Sequence, residues 1–167
     1  MLDLIIKNGK CYIDGELKDV DIAIKDKKIH KIGQISEEAK EVIDANAHTV
    51  LPGCIDTQTH FREPGSTDTE DLHSGSRAAI AGGITSVFEM PNTNPPTSNK
   101  KEFQRKLDLA KNRMYCNYAF YFGATADNAN DLASLKDLEG CCGIKLFAGS
   151  STGNLLVAEE DDIDKVF

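Results

Sequence analysis

Asp56, Gln58, His60 and Arg62 alternate along a short stretch of the chain. In an extended strand alternate residues share a face, so the spacing predicts four polar side chains presented together. An imidazole at a strand end can ligate zinc. A guanidinium beside it can hold a carboxylate through two parallel hydrogen bonds. Further on, Lys145 stands between Ile144 and Leu146 on an apolar stretch, which predicts a lysine on one face of a buried sheet. Spacing alone leaves the alternatives open. A single histidine in a polar loop also fits a plain surface residue, and Lys145 also fits a solvated lysine.

The elements that must position these residues follow from patterning. Residues 1–49 read as strands: 2–7, an Asn8-Gly9 hairpin signal, 10–13, 21–25, a turn at 26–28, 28–32 and 41–43. This is a small β unit. From about Thr49 strands alternate with helices. A strand over 50–56 precedes a helix opened by the capping-box pattern Thr67-x-x-Glu70 and closed by Gly82-Gly83. A strand over 84–89 leads to a helix carrying Phe103, Leu107 and Ala110. Strands over 116–122 and 142–147 flank a helix bearing Leu132, Leu135 and Leu138. Repeated βα units predict a parallel sheet covered by helices. The acidic run Glu159 to Asp162 suits the first turn of a last helix, and Ile163, Val166 and Phe167 begin its apolar stripe.

A closed (β/α)8 barrel takes eight strands and eight helices. Only half that number is legible here. The pattern fits an open four-stranded sheet or the first half of a barrel. The stripe broken off at Phe167 favours the half-barrel and a truncated chain. The expected fold is therefore α/β: a small β-sandwich unit over 1–49, then the first four β/α units of a TIM barrel over 50–167. In such barrels functional groups gather at the C-terminal ends of the strands, where Asp56, His60 and Arg62 fall.

Charge and composition exclude some functions. The formal net charge of −8 argues against nucleic acid and anionic membrane surfaces as partners. No apolar run is long enough to span a bilayer, and MLDLIIKNGK lacks the basic start and cleavage site of a secretory signal. A cytoplasmic protein is expected. The five cysteines show no C-x-x-C spacing, which excludes a zinc ribbon and a thioredoxin-type site and predicts free, buried thiols.

The segment PGCIDTQTHFREPG resembles the first metal-binding segment of the cyclic amidohydrolases, where Pro-Gly, Ile-Asp and His-x-His are followed, in dihydroorotases, by Arg-x-Pro-Gly. The resemblance continues through SGSRAAIAGGITSVFEMPNTNPPT and GIKLFAGSSTG, and the N-terminal β unit is similar to the small sandwich domain of that superfamily. It implies that His60, the second position of His-x-His, is a metal ligand. It implies that Arg62 and Asn92 hold a substrate carboxylate. It makes Lys145 the match of a strand-four lysine that is carboxylated in many relatives and bridges two metals, and so a catalytic residue as well as a ligand. The implied cofactor is one or two zinc ions in the full-length enzyme, or none in this chain. The metal would polarise the scissile carbonyl and activate water, with an Asp from a later strand moving the proton.

Allantoinase-like sequences usually carry Asn where Arg62 stands, and dihydropyrimidinase-like ones lack Arg-x-Pro-Gly. Dihydroorotase is therefore the favoured type, and N-carbamoyl-aspartate and dihydroorotate the expected small-molecule substrates. A homo-oligomer is expected, with aspartate transcarbamoylase a further partner implied by the resemblance. Gln58 departs from the pattern, because it replaces the first histidine. The readings are a one-metal enzyme, weak ligation through the Gln58 amide oxygen, or a non-catalytic relative serving as a structural partner. Ligands from strands five to eight are also missing, so the chain is expected to be inactive alone.

Overall fold

A computed structural model describes residues 1–150 and 155–167. The Ser-Thr-Gly end of GIKLFAGSSTG, residues 151–153, lies outside the described residues. The chain divides into two compact units, Met1–Pro52 and Gly53–Phe167.

The first unit is one sheet built on β1 (Leu2–Ile13). β2 (Glu16–Lys25) and β3 (Lys28–Gly33) follow as antiparallel hairpins, while β4 (Ala39–Asp44) and β5 (Thr49–Val50) lie parallel to β1. Both hairpin turns, Asp14-Gly15 and Asp26-Lys27, have two residues at positive φ. That geometry matches the twist of paired strands. Leu2, Ile5, Ala23 and Ile35 form the core of this unit. The Asn8-Gly9 signal is not a hairpin. β1 runs through it, with the register against β2 jumping between Ile6 and Gly9. Asn8 takes φ 57 and its N–H donates to Asp21 Oδ1 at 3.2 Å, so the residues that resemble a turn make a bulge instead.

The second unit is a four-stranded parallel sheet in the order β6 (Cys54–Thr59), β7 (Ile84–Glu89), β8 (Asn117–Gly123), β9 (Cys141–Lys145). Its helices are α1 (Leu72–Ala81), α2 (Lys100–Ala110), a 3-10 helix over Ala129–Leu135 and α3 (Glu160–Val166). Each strand pairs with the next in sequence, in parallel, across a helical connection. This is the first half of a (β/α)8 barrel. The core between sheet and helices includes Leu72, Val87, Phe103, Phe120, Leu132 and Leu135.

Three expectations are corrected here. The strand expected from residue 50 starts at Cys54, because Val50 pairs with Cys11 in the first sheet and Pro52 has no N–H to give to a strand ladder. The box that opens α1 is Asp71 with Ser74, not Thr67 with Glu70. Asp71 Oδ1 accepts the Ser74 N–H at 2.6 Å, and aspartate caps better than threonine. The third helix is 3-10 rather than α. Leu132 and Leu135, three apart, fall on the same side of such a helix and are both buried. The cysteines are free, with Cys11 and Cys116 buried, but Cys54 is exposed. Among the described residues no helix is long and apolar enough to cross a membrane.

Candidate active site

The site grows from the C-terminal ends of β6 and β7. Asp56 stands opposite Val87 and Thr59 opposite Glu89, so three steps of β6 match two of β7. The extra residue breaks the alternation. Asp56 Oδ1 turns to accept the Gln58 N–H at 2.9 Å, and Gln58 is exposed. The expected single face of Asp56, Gln58, His60 and Arg62 therefore does not form. Past Thr59 the chain leaves the strand. Phe61 is buried, Arg62 exposed and Glu63 buried.

Two loops are laced together at this point. Met90 N–H donates to Thr59 O at 2.9 Å, and Asn94 N–H donates to Pro64 O at 3.0 Å. The loop after β7 is closed on itself by Thr93 and Thr97 N–H groups, both donating to Pro91 O at 2.9 Å. Asn92 is held in this loop, and His60 Nδ1 lies 2.9 Å from its Oδ1. With the amide oxygen on the ring side, His60 donates from Nδ1. Its Nε2 then carries a lone pair, the state a metal ligand needs. Asn92 Nδ2 remains as a donor without a partner among the described residues.

Arg62 and Asn92 line one cavity of about 410 Å³, with Ser66, Thr93 and Asn94 also on its wall. Arg62 makes no ion pair among the described residues. An open cavity with an unpaired guanidinium and a spare amide donor can take an anion with a planar, two-oxygen face.

Beneath the site lies a pair that the sequence reading missed. Glu89, at the end of β7, and Lys106, on α2, are both fully buried and form an ion pair. Lys106 Nζ also donates to Met90 O at 3.0 Å. Burial pushes the Glu89 carboxyl up to about 8, opposed by Lys106 and by the charge of Arg62. Burial pushes Lys106 down, opposed by Glu89. A signal was available, since Phe103, Lys106 and Ala110 share the buried face of α2 at helical spacing. A lysine in that row demands a buried acid.

Lys145 ends β9, half-buried, with its carbonyl accepting the Ala124 N–H at 2.9 Å. Its Nζ lies 5.0 Å from the ring centroid of Phe147. No hydrogen bond joins it to Gln58, His60, Arg62 or Asn92 among the described residues. Thus the structure brings together His60 with Asn92, and Arg62 with Asn92, while no hydrogen bond ties Gln58 or Lys145 to them among the described residues. No group of three His, Cys, Asp or Glu side chains able to hold a metal occurs among the described residues. One prepared imidazole, an exposed amide and a lysine do not by themselves make a zinc site.

Comparison with known proteins places this arrangement. The model of the amidohydrolase family matches residues 49–155. The chain belongs to the amidohydrolase family. A dihydroorotase of Methanosarcina mazei is 39% identical over 163 residues, covering 96% of this chain and 36% of the relative. An allantoinase of Escherichia coli is 41% identical over 149 residues, covering 89% of this chain and 33% of the relative. Among solved structures, an L-hydantoinase of Arthrobacter aurescens superposes with a TM-score of 0.89 at 29% identity, covering 99% of this chain and 38% of that one. The chain therefore spans about a third of the length of the curated relatives it matches. Membership agrees with the resemblance carried by PGCIDTQTHFREPG. Identity alone does not separate dihydroorotase from allantoinase.

Proposed function

We propose that the protein to which this chain belongs is a dihydroorotase. It would interconvert N-carbamoyl-aspartate and dihydroorotate, closing the ring by forming an amide C–N bond with loss of water and opening it by the reverse hydrolysis. The supporting observation is the shared cavity of Arg62 and Asn92. Both substrates keep a carboxylate outside the reacting bond. The Arg62 fork and Asn92 Nδ2 are the groups suited to bind it, and they fix the ring's orientation without taking part in bond making.

Amidohydrolase family members are generally metal-dependent. We assign His60 Nε2, Lys145 and, more weakly, Gln58 as this chain's contributions to a zinc centre. The metal would supply an activated water. A second reading, a cyclic-ureide hydrolase of the allantoinase type, is favoured by the 41% identity to the Escherichia coli allantoinase. In that case Arg62 would have no carboxylate to bind.

The test is Arg62→Met in the whole protein. Losing a hydrogen-bonded charge partner costs about 1.5–3 kcal/mol, or roughly 10- to 150-fold in KM for dihydroorotate. An unchanged KM would contradict the assignment.

A further inference from the structure

Arg62 is exposed between two buried neighbours, and each neighbour is anchored to the helical layer. Phe61 packs on α1 at Gly75, where an added Cβ would stand 2.5 Å from Phe61 Cδ1. Glu63 is anchored more elaborately. Its Oε1 accepts from Arg113 Nη1 at 2.8 Å, and its Oε2 accepts from Arg113 Nη2 at 3.1 Å and from the Leu72 N–H at 3.0 Å. Arg113 is itself fixed. Nη1 also donates to Leu109 O at 3.0 Å, and Nη2 lies 3.7 Å from Asp71, the residue that caps α1.

A two-point guanidinium–carboxylate fork sets position and angle together, which one hydrogen bond does not. Here it joins the residue next to Arg62 to the C-terminal end of α2 and the N-terminal end of α1. The Arg62 side chain has no ion-pair partner of its own among the described residues. Its placement over the cavity is therefore inherited from its backbone, and that backbone is held by Phe61 and Glu63.

We propose that Glu63 and Arg113 are positioning residues for Arg62, and that their fork sets the affinity of the cavity for a carboxylate-bearing substrate. Neither lines the cavity. The proposal rests on the reading of Arg62 as the carboxylate binder. A plain stabilising ion pair would instead act on the fold, with no special link to Arg62.

A double-mutant cycle on the whole protein separates these. KM and kcat for dihydroorotate are measured in Arg62→Met, Arg113→Met and the double variant, with thermal melts to confirm folding. Arg113→Met should raise KM about tenfold and leave kcat within about twofold. In the Arg62→Met background it should add nothing further. The same factor in both backgrounds, or an unchanged KM, would overturn the proposal. If Arg113→Met does not fold, Arg113→Lys keeps the charge and loses the fork. It should give a smaller rise in KM that again vanishes without Arg62, and its persistence there would overturn the proposal. If Arg62→Met itself leaves KM unchanged, the carboxylate reading fails and this inference with it. If KM depends on Arg62 but not on Arg113, only the fork loses its role.

Discussion

His60 and Asn92 meet at 2.9 Å between Nδ1 and Oδ1, so a residue at the end of β6 and a residue in the loop after β7 set each other's chemistry. With the amide oxygen facing the ring, the contact puts the imidazole proton on Nδ1. One contact prepares a free Nε2 lone pair for a metal and a free Nδ2 for an anion.

This contact determines a tautomer. Nitrogen-resolved NMR of the neutral imidazole should find His60 protonated on Nδ1 in the unmodified protein. In Asn92→Ala that preference should weaken toward the mixture of a free side chain. A proton on Nε2 in the unmodified protein would contradict the arrangement.

The Glu89–Lys106 pair should behave as a unit. Glu89→Gln or Lys106→Met alone leaves a buried charge or polar group uncompensated, at about 3–5 kcal/mol, whereas replacing both with apolar side chains is often close to neutral. Denaturant unfolding of Lys106→Met and of the double variant Glu89→Leu/Lys106→Met should show a large loss and a much smaller one. Equal losses would mean that the charges are not partnered in solution.

How much of this was legible in the sequence depends on distance along the chain. The βα order, the half-barrel and the position of His60 and Arg62 beyond β6 follow from local patterns and from PGCIDTQTHFREPG. The bulge between Asp56 and Thr59 does not, because it is a mismatch with β7, some thirty residues on. The Asn8-Gly9 misreading has the same origin. Those residues suit a turn, and only the pairing of β1 with β2 makes them a bulge. The partners of Glu63 and Glu89 were hidden for the same reason, since Arg113 lies fifty positions away. The spacing of Phe103, Lys106 and Ala110 carries a signal for Lys106, but none for its acid.

The α1 cap gives a pH dependence. The Ser74 N–H and hydroxyl hold the Asp71 carboxyl below its ordinary 3.8. Its folded value is lowered, so its contribution is present above the unfolded value and disappears as pH falls through the folded one. Thermal melts between about pH 6 and about pH 3 should show a shallower acid fall for Asp71→Asn, which keeps a capping oxygen without titrating. An identical fall would show that Asp71 is not linked to stability.

Gly65 should resist substitution. It takes φ +121, and an added Cβ would lie 2.9 Å from Asn94 Cβ and 3.1 Å from Asn94 O. Gly65→Ala should lower stability by about 1–3 kcal/mol through strain and overpacking, and it should raise KM by spreading the two loops that wall the cavity. A variant as stable as the parent, with the same KM, would show that the loops are not closely seated.

The most direct measurement is kcat/KM of the whole, metal-loaded protein on dihydroorotate and on allantoin, side by side. A dihydroorotase should turn over dihydroorotate with an efficiency that drops in Arg62→Met, and should leave allantoin untouched. Efficient hydrolysis of allantoin, insensitive to Arg62, would contradict the role given to the Arg62–Asn92 cavity.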